Sequence, residues 1–249
     1  MLTVPQFPAE NAGGGGNGAD PELLDRLNET RSRIAAAAMR CGRRPESVRL
    51  LAVSKSQPLA RIRSLMAYGQ RDFGENYLQE ALAKIQELSG NDICWHFIGQ
   101  LQSNKTRAVA ENFQWVHTVD RERIAARLSE QRPHYAPPLN ICLQVRLADE
   151  PGKGGATPEE LPALARRVSE LPRLRLRGLM CIPPPRESFE DQYAFFARLA
   201  ELQQGLLASG FELDALSMGM STDLEAAVAA GATWVRIGTA IFGERTPQP

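Results

Sequence analysis

Leu50-Leu51-Ala52-Val53-Ser54-Lys55 begins with five small or apolar residues in succession, with Pro45 behind and Pro58 ahead. A run of this kind reads as a strand buried on both faces, the pattern of a parallel sheet covered by helices. The lysine at its end is unusual. Burial disfavours an ammonium, and a deprotonated amine is the form that attacks an aldehyde to give a Schiff base. A lysine in this place also snorkels outward along its apolar stem, so the run by itself leaves both readings open.

The same kind of run recurs along the chain. Strands are expected at 72–73, 93–98, 115–119, 140–145, 174–180, 213–216 and 234–237, with helices between them at about 59–68, 77–88, 101–112, 189–207 and 222–230. Asp120, ahead of Glu122 and Arg123, is expected to cap the helix after the fourth strand, and Thr157 with Glu160 forms a capping box for the helix after the fifth. Eight strands separated by seven helices in strict alternation call for a parallel sheet, and closing it gives a single (β/α)₈ TIM barrel, an α/β fold. About a dozen residues follow the last strand, too few for a full eighth helix. An extra N-terminal helix, capped by Asp20 with Pro21 at its first position, lined by Leu24, Leu27, Ile34 and Ala38 and stopped by Gly42, is expected to cover that gap. Residues 1–19, with Gly13-Gly14-Gly15-Gly16, bury too little to offset their ordering entropy and are expected to be a disordered tail, leaving 20–249 as one barrel domain.

Composition narrows the function. Twenty-nine Lys and Arg balance 29 Asp and Glu, which argues against nucleic acid or a membrane surface bound through bulk charge. No run reaches transmembrane length and no leader precedes Asp20, so a cytoplasmic protein is expected. Cys41, Cys94, Cys142 and Cys181 are far apart and form no CxxC pair, which fits free thiols in a reducing compartment. His117 and His134 lack clustered partners in sequence, so no metal site is expected.

In a barrel of this type the site lies where strands end and helices begin. Those positions hold Lys55, then Glu75 and Asn76, His96 with Gly99, Ser217-Met218-Gly219-Met220-Ser221, and Arg236-Ile237-Gly238-Thr239. The last two loops read as a phosphate cradle. Gly219 admits close backbone approach, Thr222 and Glu225 mark a helix N-terminus, and Ser217, Ser221 and Thr239 supply hydroxyls. Small residues also simply make tight turns. A phosphate site opposite a lysine amine matches a phosphorylated aldehyde, and pyridoxal 5′-phosphate is the obvious one. Arg236 is then the partner of the ring nitrogen; a structural ion pair or a grip on the phosphate are its alternatives.

At these residues the chain resembles one family across nearly its whole expected ordered length. The resemblance rests on Leu51-Ala52-Val53-Ser54-Lys55, Phe73-Gly74-Glu75-Asn76-Tyr77, Trp95-His96-Phe97-Ile98-Gly99, Leu101-Gln102-Ser103-Asn104-Lys105, Ser217-Met218-Gly219-Met220-Ser221 and Val235-Arg236-Ile237-Gly238-Thr239-Ala240-Ile241-Phe242-Gly243. Together they resemble the pyridoxal phosphate homeostasis proteins. The resemblance implies a fold type III barrel similar to the N-terminal domain of alanine racemase, with the cofactor on Lys55, and a role in vitamin B6 balance without an established reaction. It places Asn76 near the ring, Arg236 at the pyridine nitrogen, and Ser221, Gly238 and Thr239 at the phosphate; His96, Ser217 and Met220 complete the expected cofactor contacts. Lys153, in Pro151-Gly152-Lys153-Gly154-Gly155, resembles a mobile lysine loop of the family but sits in a more glycine-rich segment.

Three functions follow from these residues. A carrier would hold pyridoxal phosphate on Lys55 and buffer it or deliver it to apo-enzymes, with no catalytic residue of its own. An amino-acid racemase needs a base on each face of the cofactor. In alanine racemases the second base is a tyrosine supplied across a dimer with an extra β domain, and the chain ends six residues after Gly243, leaving no room for that domain. Of the four tyrosines, Tyr77 alone is expected near the site, while Tyr68, Tyr135 and Tyr193 fall elsewhere. A Schiff-base aldolase would share the lysine and the phosphate loops. The carrier is the favoured reading, and a complete barrel without a dimer domain leads to the expectation of a monomer.

Overall fold

The computed structural model describes residues 20–148 and 154–244; the glycine-rich tail and Lys153 lie outside the described residues. Eight parallel strands close in sequence order, β1 (Arg49–Val53), β2 (Asp72–Glu75), β3 (Cys94–Phe97), β4 (Trp115–Val119), β5 (Leu139–Gln144), β6 (Leu174–Met180), β7 (Ala215–Ser217) and β8 (Trp234–Ile237). Closure is made by β1 against β8, with Leu50 opposite Val235 and Ala52 opposite Ile237. Around the sheet lie α1 (Pro21–Arg40), α2 (Leu59–Ala67), α3 (Leu78–Glu87), α4 (Thr106–Asn112), α5 (Glu122–Gln131), α6 (Leu161–Ser169), α7 (Phe189–Ala208), α8 (Leu224–Ala229) and the single turn α9 (Thr239–Phe242). This is the expected (β/α)₈ barrel.

The alternation of side chains along each strand makes two apolar compartments. Leu51, Ile98, Trp115, Cys142, Met180, Ala215 and Trp234 pack together inside the barrel, while Ala52, Phe73, Phe97, Val116, Ile141, Leu179 and Val235 face the helices. β6 and β7 meet at Gly178, where a Cβ would lie 1.7 Å from the carbonyl oxygen of Ala215. Any side chain there would force the two strands apart.

α1 takes the place of a full eighth helix by packing on α8 and α9. Asp20 caps it by accepting from the Leu23 amide at 3.1 Å. Its buried face is Leu23, Leu27, Thr30, Ile34, Ala37 and Ala38, one step round from the expected stripe, since Leu23 and not Leu24 points inward. Arg33 reaches from this helix to α8, where its Nε and Nη2 hold the two carboxylate oxygens of Glu225 at 2.9 and 3.0 Å.

Other local expectations divide. The reciprocal hydrogen bonds of the Thr157 and Glu160 box are made, each side chain accepting from the other's amide, but in the turn before α6, whose cap position is held by Glu160. The Thr222 and Glu225 box is not made, because Arg33 has taken Glu225; Asp223 precedes α8 instead, and its carboxylate accepts from the Met220 amide at 2.5 Å. Asp120 does not cap α5: its oxygen accepts from Arg121 Nη1 at 2.7 Å, and Arg121 occupies the cap position. α4 starts only at Thr106, because the Ser103 carbonyl accepts from the Thr106 hydroxyl and from Arg127 Nε and so holds 103–105 as a turn.

Candidate functional site

The C-terminal ends of the strands surround a cavity of about 580 Å³, inside the range of about 300–1,000 Å³ usual for small-ligand sites. Lys55, Asn76, Met220, Ser221, Arg236, Gly238 and Thr239 all line it, with Val53, Ile98 and Met180 as apolar wall. Seven of the nine expected contact residues are therefore brought together. A smaller cavity of about 240 Å³ beside it, lined by Gln144 and Arg146, shares Asn76, Ile98 and Ile182 with the first.

Lys55 does not end a strand. β1 stops at Val53, and Lys55 sits one residue beyond Ser54 in the following turn, partly exposed. Two bonds fix the backbone on either side of it. Lys84 Nζ, buried on α3, donates to the Ser54 carbonyl at 2.7 Å, and Glu80 accepts from the Ser56 amide at 2.6 Å. Ser56 has φ +61°, a left-handed conformation that costs a non-glycine residue about 1–2 kcal/mol. Glu75, fully buried at the end of β2, ties these groups together: its Oε1 accepts from Ser54 Oγ at 2.6 Å and from Lys84 Nζ at 2.8 Å. Burial raises the Glu75 carboxyl above its ordinary range, and Lys84 and the Ser54 hydroxyl oppose that only in part.

Arg236 is buried at the cavity floor, with Nη2 on the Cys181 carbonyl at 2.8 Å and Nη1 on Ser217 Oγ at 2.9 Å. Burial lowers its pKa from the ordinary value, yet a guanidinium stays charged in proteins. Ser217 does not line the cavity; it lies beneath Arg236. His96 lies deeper still, buried inside the barrel between Trp115, stacked at 5.5 Å, and Trp234 at 4.9 Å. Its Nδ1 is 2.9 Å from His117 Nε2 and its Nε2 is 3.1 Å from Asp72 Oδ1, while His117 Nδ1 is 2.8 Å from Ser217 Oγ. His117, expected to lack partners, is thus paired twice.

The loops after β7 and β8 are neighbours, as the phosphate-cradle reading requires. The Arg236 amide donates to the Gly219 carbonyl at 2.9 Å, and Ser221 Oγ accepts from the Ala240 amide at 3.3 Å. Gly219 has φ +95°, and a Cβ on it would lie 2.5 Å from the Ala227 side chain, so this loop folds only on glycine. Tyr77, next to Asn76, precedes α3 and is exposed, and it is not one of the residues that line the cavity.

Among the described residues, Asp72, Cys94 and His96 form the one trio with metal-ligand spacing. Arg49 Nη2 stands 3.1 Å from the second oxygen of Asp72, and that fixed cation opposes a metal ion there.

Sequence reasoning missed Lys84, Glu80 and His117, and left Glu75 without a role. The signal for Lys84 was available, since it falls on the apolar stripe of α3 with Leu78 and Ala81. A lysine on such a stripe needs a buried acid.

The family model described as the alanine racemase N-terminal domain matches residues 26–246. The pyridoxal phosphate homeostasis protein of Pseudomonas aeruginosa is 59% identical over 223 residues, 90% of this chain and 96% of that one. The protein of the same name from Escherichia coli is 52% identical over 227 residues, 90% and 97% of the two chains. Among solved structures, PipY of Synechococcus elongatus with PLP bound superposes with a TM-score of 0.79 at 41% identity, over 89% of this chain and all of that one. Alanine racemase of Clostridium difficile shares the fold at 14% identity and a TM-score of 0.73, over 92% of this chain and 58% of that one.

Proposed function

This chain belongs to the pyridoxal phosphate homeostasis proteins and, more broadly, to the family of the alanine racemase N-terminal domain, and from that membership we infer that it binds pyridoxal 5′-phosphate in the cavity beside Lys55 and buffers or delivers it. The observation that carries the reading is the meeting of Lys55, Arg236, Ser221 and Thr239 on the wall of one cavity.

The wall suits this cofactor. Asn76 Oδ1 is buried without a hydrogen-bond partner among the described residues and faces a ligand-sized space, where a donor from the cofactor would relieve the cost of an orphaned acceptor. Lys55 would hold the aldehyde carbon through its amine, Arg236 would donate to the pyridine nitrogen, and Ser221, Gly238 and Thr239 would receive the phosphate. When bound, pyridoxal phosphate supplies a carbonyl carbon that exchanges between amines. The Lys84–Glu75–Glu80 clamp keeps the Lys55 backbone in place, and Val53, Ile98 and Met180 keep water from one side of it.

The exposed position of Tyr77 supports a carrier over a racemase, because a second proton-transferring base has to reach the cofactor. The Schiff-base aldolase reading gives way to the cofactor named by the relatives. We further read the chain as a monomer that passes its cofactor to apo forms of pyridoxal-phosphate enzymes, acting without a reaction of its own.

The test is borohydride reduction of the cofactor-loaded protein followed by peptide mapping. The adduct is expected on Lys55; an adduct on another lysine, or none, overturns the assignment. Incubation with L-alanine in deuterated water separates the carrier from the racemase: exchange at the α-carbon at enzymatic rates establishes the latter. Hand-over is measured with an apo-transaminase and a scavenger of free cofactor, and reactivation no faster than spontaneous dissociation excludes direct transfer.

A further inference from the structure

We propose that Ser217, His117, His96 and Asp72 are positioning residues for Arg236, acting through a one-way chain of hydrogen bonds that crosses the barrel interior. The two ends of the chain leave no choice of direction. A guanidinium only donates and an ionised carboxylate only accepts, so Arg236 Nη1 donates to Ser217 Oγ at 2.9 Å and Asp72 Oδ1 accepts from His96 Nε2 at 3.1 Å. A neutral imidazole has one donor and one acceptor. His96 therefore presents Nδ1 as acceptor, and His117 must donate to it from Nε2 at 2.9 Å. That leaves His117 Nδ1 to accept from the Ser217 hydroxyl at 2.8 Å. With its proton spent on His117, Ser217 turns its lone pairs toward Arg236.

Two alternatives have the same heavy-atom geometry: a doubly protonated His96 on Asp72, which burial of the ring disfavours although Asp72 opposes that, and a doubly protonated His117 donating from both nitrogens. The latter would put a second buried cation one hydroxyl away from Arg236, and burial, His96 and Arg236 together hold the His117 pKa well below its ordinary value. The other groups facing the chain favour the neutral rings too. Arg49 lies on Asp72 and helps keep it ionised, although burial works against this. Cys94, Cys142 and Cys181 are pushed up to about 12 by burial and stay uncharged. Asp223 lies near enough to Arg236 to act on it through charge, and Arg177 stacks over Trp115 at 4.8 Å. Trp115 and Trp234 flank the His96 ring and fix its plane.

The chain and the Cys181 carbonyl together use two N–H groups of Arg236 and lock the guanidinium as it forms the cavity floor. The consequence for the cofactor rests on the function proposed above; the proton arrangement does not.

Long-range ¹⁵N–¹H NMR of the full chain labelled on histidine tests the arrangement without cofactor, with His134→Gln identifying the third ring. His96 and His117 are expected as neutral Nε2–H tautomers, unchanged from pH 5.5 to 8.5. In Asp72→Asn the fixed acceptor is lost and His96 is expected to populate both tautomers. An Nδ1–H or doubly protonated ring in the wild type, or unaltered tautomers in Asp72→Asn, overturns the proposal. The second readout is the absorbance maximum and dissociation constant of bound pyridoxal phosphate. Ser217→Ala is expected to shift the maximum and weaken binding about tenfold, the effect of losing a hydrogen bond to a charged group, and Ser217→Thr to restore both. If borohydride still marks Lys55 while the maximum and affinity of Ser217→Ala equal those of the wild type, the positioning role is overturned. If Lys55 is not marked at all, it is the cofactor assignment that fails.

Discussion

Lys84 Nζ lies 2.7 Å from the carbonyl oxygen of Ser54, the residue before Lys55, while also pairing with the fully buried Glu75 at 2.8 Å. A helix of the outer ring thus reaches under the β1–α2 turn and holds it from below. The pair joins the placement of the amine to the stability of the barrel, so both respond to the same substitution.

Lys84→Met leaves a buried carboxylate with the Ser54 hydroxyl alone, and losing one partner of a buried ion pair costs about 3–5 kcal/mol. Urea unfolding is expected to show that loss. The double variant Glu75→Gln/Lys84→Met removes the unpaired charge and is expected to recover much of it. Lys84→Met unfolding at the same urea concentration as the wild type contradicts the clamp.

Gly219→Ala places a methyl group 2.5 Å from the Ala227 side chain at a backbone φ of +95°. Overpacking of this kind costs about 1–3 kcal/mol. Adding Ala227→Gly restores the space but not the backbone freedom. The double variant is therefore expected to remain about 1–2 kcal/mol less stable than Ala227→Gly alone, read from thermal or urea melts, and to bind cofactor more weakly than the wild type.

Acid should destabilise the barrel through its interior histidines. Burial holds the pKa values of His96 and His117 below the ordinary 6.5, so the unfolded chain binds protons there that the folded chain refuses. The stability this contributes is present above pH 6.5 and is lost as pH falls below it. For two rings the loss between pH 7.5 and 5.5 is on the order of 2 kcal/mol. Urea melts at the two values measure it, and His96→Gln/His117→Gln is expected to flatten the slope.

The thiols differ in the same physical way. Cys94, Cys142 and Cys181 are pushed up to about 12 by burial, whereas Cys41 is exposed at the end of α1. At pH 8 a thiol near 12 has on the order of a thousandfold less thiolate than an ordinary one. Iodoacetamide on the native protein is expected to mark Cys41 first and to spare the other three, as mass spectrometry of the digest would report.

Much of this was legible in the chain. The runs at 115–119, 174–180 and 234–237 became strands with the expected limits, and Thr157 and Glu160 made their reciprocal hydrogen bonds. Such features depend on side-chain periodicity and on hydrogen bonds a few residues long, which a linear reading contains. Small residues at strand ends likewise marked Lys55, Asn76, Ser221, Arg236, Gly238 and Thr239, because barrel topology sends every strand end to one face.

Polar pairing was decided by closure of the barrel. Glu225 looked like a partner for Thr222, but Arg33, 192 residues away, took it with two hydrogen bonds. His117 found His96 and Ser217 on β3 and β7, and His96, whose motif pointed to the cofactor, faced the interior instead. A buried polar group settles on whichever donor or acceptor the tertiary fold brings within about 3 Å, since leaving it unpaired costs about 1–3 kcal/mol. The sequence by itself determined where the strands run and which residues gather at their ends; which charges meet inside, and so what steadies Lys55 and Arg236, was determined only when distant strands and helices were brought into contact.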